Sequence, residues 1–101
     1  MGITTQISSD GAQMTIKLPA SFDIGVSKEF RNIKNSAATG LKKFVIDFSQ
    51  TEHMDSSALG MLLLLREELG GDTVNIELHH CSETIRELLK LARFDDLFTI
   101  I

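Results

Sequence analysis

Asp55, Ser56 and Ser57 stand together just before an apolar stretch, in the run Met54-Asp55-Ser56-Ser57-Ala58-Leu59-Gly60-Met61-Leu62. Short polar side chains at a helix start accept hydrogen bonds from its first free amides, so an ordinary N-cap is one reading. The same place offers outward-pointing N–H groups and the positive end of the helix dipole, so a phosphate carried by one of these serines is the other. A serine nucleophile needs a base and an oxyanion site. No G-x-S-x-G elbow occurs and no histidine is placed beside Ser56, so catalysis is not expected. No G-x-x-x-x-G-K loop occurs either, and neither nucleotide nor cofactor binding is expected. His79-His80-Cys81 is the other cluster of reactive types. Adjacent residues at a strand end cannot all face one ion, and His53 is too isolated to complete a ligand set, so the cluster reads as a polar turn and not a metal site.

The elements that must position Ser56 follow from hydrophobic period. Ile3 to Ser8 reads as a first strand, Ser9-Asp10-Gly11 as a turn, and Met14, Ile16 and Leu18 alternate with polar residues in a second strand, giving a hairpin closed by Pro19. Val26, Phe30, Ile33 and Ala37 fall at i, i+4, i+7 and i+11, which predicts a helix over Val26 to Thr39, capped by Asp23 or Ser27 and ended by Gly40. Phe44-Val45-Ile46-Asp47-Phe48 is mostly apolar and suits a central strand covered on both faces. A polar loop over Ser49 to Asp55 leads into a helix over Ala58 to Leu69, stopped by Gly70-Gly71. Val74, Ile76 and Leu78 mark another strand. Ser82 caps a helix carrying Ile85, Leu88, Leu89 and Ala92, and Leu97 to Ile101 forms a last short strand. This β-β-α-β-α-β-α-β order implies an α/β fold: a mixed sheet of about five strands with an N-terminal hairpin and three main helices.

At about 100° per residue, Ala58, Leu62, Leu65 and Leu69 cluster on the core side of the helix after Ser56, while Leu63 and Leu64 point away. Either a neighbouring helix buries them, or with Gly60 they form an exposed apolar patch for a partner.

The 101 residues suit one domain, and 43% apolar content suits a packed core. A net charge of −4 with scattered Lys and Arg argues against nucleic acid as a partner. The single cysteine, Cys81, cannot pair internally, which fits a reducing compartment. The first ten residues lack a basic stretch followed by an apolar one, and the longest apolar run, Met61 to Leu65, is far too short to span a bilayer. A cytoplasmic location is expected.

Met54-Asp55-Ser56-Ser57-Ala58-Leu59-Gly60 resembles the signature of STAS domains, the anti-sigma-factor antagonist family. There an Asp, a Ser, a Ser or Thr, usually a Gly, an apolar residue and a Gly follow one another. The resemblance extends over essentially the whole chain, through Phe22-Asp23, Val45-Ile46-Asp47-Phe48, Gly70-Gly71, Leu88, Phe94 and Leu97. Ala58 stands where glycine is common, and Pro19-Ala20-Ser21 where a glycine often precedes the Phe-Asp pair.

The resemblance implies a stand-alone bacterial regulator of the anti-sigma-factor antagonist type, spanning residues 1–101 as one STAS domain. The serine directly after the aspartate, Ser56, is then the phosphorylated residue. Ser57 supports it from the first turn, Asp55 holds the loop and meets the kinase, and Asp23 flanks the same surface. Partners implied are an ATP-dependent serine kinase or anti-sigma factor, a metal-dependent serine phosphatase and a further regulatory protein. The rival is a constitutive STAS subunit of an ABC-type lipid transporter, bound to an ATPase subunit whatever the state of Ser56.

Overall fold

The computed structural model describes residues 2–33 and 40–101. Strands β1 (Thr4–Ile7) and β2 (Gln13–Lys17) form the expected hairpin. Its turn is pinned by Asp10, whose carboxylate accepts from the Ser8 hydroxyl at 2.6 Å and the Ala12 amide at 3.0 Å. Then come β3 (Ser21–Phe22), α1 (Ser27–Arg31), β4 (Lys43–Asp47), β5 (His53–Met54), α2 (Ser56–Leu69), β6 (Asn75–His79), α3 (Glu83–Leu91) and β7 (Thr99–Ile100).

The main sheet has five strands in the order β1-β2-β4-β6-β7, and only β1–β2 is antiparallel. From β2 onward the chain always steps to the next strand in one direction. Right-handed crossovers then place the helices on a single face. The packing agrees: Met14, Ile16, Phe44, Ile46, Ile76 and Leu78 share one core with Phe30, Ala58, Leu62, Leu65, Ile85 and Leu89.

As expected, β4 is buried on both faces, with Phe44, Val45 and Ile46 all inaccessible, but helices cover only one of them. Val45 points to the helix-free face, outside that core, and is sheltered between its register neighbours Thr15 and Glu77. On the same face Glu77 pairs with Lys43 at 3.1 Å and His79 at 2.8 Å. The His79 hydrogen bond, then that of Lys43, holds the Glu77 carboxyl below its usual range. His79 thus ends β6, hydrogen-bonded to Glu77, and the turn begins only at His80, at φ 60°. Cys81 is half-buried, and burial pushes its thiol up to about 11.

Helix ends follow capping chemistry. Asp23 caps a 3-10 turn, Ile24–Val26, its carboxylate accepting from the Gly25 amide at 2.9 Å, and α1 continues from that turn. The predicted continuation to Thr39, with Ala37, lies outside the described residues. Gly70, at φ 135°, takes the left-handed-side conformation that ends α2. The Ser82 hydroxyl caps α3 by accepting from the Ile85 amide at 3.2 Å. Ile85 and Leu89 are buried, Leu88 is half-buried, and Ala92 lies past the helix end and is exposed. The last strand is shorter than Leu97 to Ile101 because Phe94 and Phe98, both buried and stacked at 5.5 Å, require a turn between them.

The supposed loop before α2 is a built structure. The β5 strand pairs in parallel with β3, Ser21 opposite His53 and Phe22 opposite Met54. The Glu52 and His53 amides both donate to the Ala20 carbonyl, at 2.8 and 3.0 Å. Thr51 is the one polar residue buried among the described residues, and its hydroxyl donates to the Pro19 carbonyl at 3.0 Å. Pro19-Ala20-Ser21 therefore supplies carbonyl acceptors and a strand start where no glycine is needed. Replacing Thr51 with Val keeps the shape but strands that carbonyl. Urea denaturation of Thr51→Val is expected to give about 1–3 kcal/mol less stability than wild type; an unchanged midpoint would show that this tie is not needed.

Candidate functional site

Because β3 and β5 run side by side in the same direction, the residues that follow them emerge together. Asp23 follows Phe22 and Asp55 follows Met54, so two acidic caps stand next to each other at the carboxyl end of the sheet. They share a shallow hollow of about 130 Å³ with Phe22, His53 and Met54. A hollow of that size falls well below the volume a drug-sized ligand needs.

Asp55 holds extended backbone, φ −118° and ψ −176°, and its carboxylate accepts from the Ser57 amide at 3.0 Å and the Ala58 amide at 3.3 Å. The Ser57 hydroxyl donates to the same oxygen at 2.5 Å. The Ser57 hydroxyl, ahead of the two amides, holds the Asp55 carboxyl below the usual range. The anion site at the helix start is thus already filled, by a carboxylate from the chain itself. That corrects the picture of an open cradle awaiting a phosphate. The roles within the triplet are also distinct: Asp55 is the cap, and half-buried Ser57 braces it. Ser56, exposed at the first position of α2, takes no part in the cap.

Ser56 instead heads the outer face of α2. Gly60, Leu63 and Glu67 lie at i+4, i+7 and i+11 from it, and all are exposed. Leu63 is 40% and Leu64 47% exposed, so neither is taken up by a neighbouring helix. The buried side of α2 is Ala58, Met61, Leu62 and Leu65, with Leu69 only half-buried. Met61 joins the core because α1 packs beside it: Phe30 and Ser27 of α1 line a narrow groove with Met61, Leu64 and Leu65.

The structure therefore brings Asp23, Asp55, Ser56 and Ser57 to one end of the sheet and carries Gly60, Leu63 and Leu64 away from them along one helix face. One residue was not singled out from sequence. Ile24, 65% exposed, sits on the turn Asp23 caps. Its only signal is being an apolar residue off the Val26–Phe30–Ile33 face. Gly60 also stands out, for a Cβ built there would meet nothing within 4 Å. The fold gives no steric reason for a helix-interior glycine at that point.

The family model described as the Mlab STAS domain matches residues 5–100. A STAS-domain containing protein of Pseudomonas aeruginosa is 40% identical over 100 residues, covering 99% of both chains. Among solved structures, the anti-sigma factor antagonist SpoIIAA in its unphosphorylated form aligns over 98% of this chain and 86% of its own, with a TM-score of 0.74 and 19% identity. The phosphorylated form of the Bacillus protein gives 0.73 and 18%, over 98% and 90% of the two chains. An anti-sigma factor antagonist from Mycobacterium paratuberculosis gives 0.72 and 19%, over 97% and 84%. At these identities the structures establish a shared fold; the family rests on the match over residues 5–100 and on the close relative. The chain belongs to the STAS domain family and has the fold of the anti-sigma-factor antagonists.

Proposed function

We propose that this chain is a non-enzymatic partner-switching regulator. It docks through the outer face of α2 while Ser56 is unmodified and is released when Ser56 is phosphorylated. One observation carries this reading: the Ser56 side chain, outside the cap, stands on the same helix stripe as Gly60 and Leu63, with Leu64 alongside. The partner that fits is a serine kinase that acts as an anti-sigma factor or comparable regulator, opposed by a metal-dependent serine phosphatase. A further regulatory protein competes for the same docked state. ATP and metal belong to those partners.

A phosphate on Ser56 adds about −1.5 to −2 charges at neutral pH. The amides of Ser57 and Ala58 are held by Asp55, so the phosphate projects outward, near two carboxylates. Docking an apolar partner over it would bury a charge without a counterion. A penalty of about 3–4 kcal/mol weakens binding by roughly two to three decades, with no change of fold.

The direct test is to incubate the protein with its cognate kinase and ATP, map the modified residue by mass spectrometry, and compare partner binding by wild type, Ser56→Ala and Ser56→Asp. Phosphate on Ser56, binding kept by Ser56→Ala and lost by Ser56→Asp support the proposal. A phosphate elsewhere, or an ATPase subunit recovered equally by all three, contradicts it; the second outcome favours the transporter reading.

Gly60→Ala separates docking from folding. Removing a glycine from an exposed helix interior should raise stability by about 0.5–1 kcal/mol in thermal unfolding. Partner affinity, measured by calorimetry, should fall, because the added methyl occupies space the partner uses; a more stable variant with unchanged affinity would take Gly60 out of the interface. For Asp55 the sign follows from its lowered folded-state pKa. The cap stabilises above the unfolded value of about 4 and its contribution is lost as pH falls through the folded value. Asp55→Ala should melt below wild type at pH 7, the gap closing below about pH 4; a gap independent of pH would mean that the ionised carboxylate is not the stabilising species.

A further inference from the structure

The β1 edge of the sheet carries features that no part of the switch uses. Thr4 to Ile7 are all exposed, and the strand holds no charge and no proline, the usual guards against edge pairing. Its hydrogen-bond phase is fixed. The Ser8 amide donates to the Gln13 carbonyl, so Ser8–Gln13 is a bonded pair, and Gln6–Thr15 and Thr4–Lys17 follow at alternate positions. Thr5 and Ile7 then direct their N–H and C=O groups away from β2, towards the free edge. The next amide of the same phase, that of Ile3, is closed off by the Glu29 carboxylate at 3.2 Å. The open edge is thus one short, self-contained segment centred on Gln6.

Such a segment is complementary to itself. We propose that a second copy of this chain pairs with it, β1 against β1 and antiparallel, about a two-fold axis through Gln6. In that register Thr5 of each copy exchanges both backbone hydrogen bonds with Ile7 of the other, and the two Gln6 residues face each other. The side chains agree with the backbone. Opposite Ile16 and Met14, Thr5 and Ile7 lie on the helix-bearing face of the sheet. Ile7 projects there, 42% exposed. Beside Thr5 on that face is an open groove of about 230 Å³ lined by Ile3, Thr5, Glu29, Asn32 and Ile33. The two-fold lays Ile7 of each copy against Thr5 of the other, at the mouth of this groove, so projection and hollow match reciprocally. The two five-stranded sheets become one of ten, and α2 stays free on each copy. Four strand residues a side bury less than a standard interface, so the pairing is weak and concentration-dependent.

Sedimentation velocity from about 10 µM to 1 mM tests this. Wild type should pass from single to double mass with a midpoint on the order of 0.1 mM. Ile7→Lys, changed at an exposed position, should keep its melting temperature and remain single throughout. Gln6→Cys in a Cys81→Ser background should cross-link to a dimer under mild oxidation, because facing residues of a non-hydrogen-bonded pair bring their Cα atoms to about 4.5 Å. A single-chain mass at 1 mM, a dimer indifferent to Ile7→Lys, or no Gln6→Cys cross-link would each overturn the proposal.

Discussion

The Asp55 carboxylate settles the character of this site. By accepting from the Ser57 and Ala58 amides and the Ser57 hydroxyl, it starts α2, neutralises the helix's positive end and orients the first turn. Ser56 is left on the outside of that arrangement, with a hydroxyl that the fold does not use. A group attached there alters the surface without touching what holds the helix in place. The segment just before Asp55 holds it in place: Thr51 is tied to Pro19, Glu52 and His53 to Ala20, and the two residues of β5 are zipped to β3.

The same geometry explains why α2 carries both halves of the proposed switch. Its inner face, Ala58, Leu62 and Leu65, is committed to the core. Its outer face is free to be apolar, and the two functions meet because Ser56, Gly60 and Leu63 repeat at helical spacing. Ile24 is a further exposed apolar residue, on a turn that a second aspartate caps. With all described helices on one side of the sheet, the opposite face can be polar, and Lys43, Glu77 and His79 make it so.

Much of this was legible in the residues. Period-two and period-3.6 patterns located the hairpin, the strand around Ile76 and the helix after Ser82, since each has one committed apolar face; an unbroken apolar run marked the strand around Val45, and length with a glycine stop marked the helix after Ser56. The Asp-Ser-Ser triplet announced a helix start, although sequence alone left open which residue caps. Less was readable where tertiary pairing overrides local pattern. Two residues, His53 and Met54, are too few to show an alternation, so β5 reads as loop. Val45 looks like a core residue but is sheltered by neighbours within its own sheet. Whether Leu63 and Leu64 are covered depends on what packs beyond α2, which periodicity cannot tell.

In the proposed switch, a phosphate on Ser56 changes the surface of α2 and leaves its support intact. Amide chemical shifts and hydrogen exchange, compared residue by residue between the unmodified and Ser56-phosphorylated protein, test it most directly. Shift changes should be confined to the first turns of α2 and the Asp23 turn, with the Ser57 and Ala58 amides still protected by Asp55 and exchange in β2, β4 and β6 unaltered. Loss of that protection, or shifts spreading through the sheet, would mean that the modification acts by rebuilding the fold and not by altering one surface.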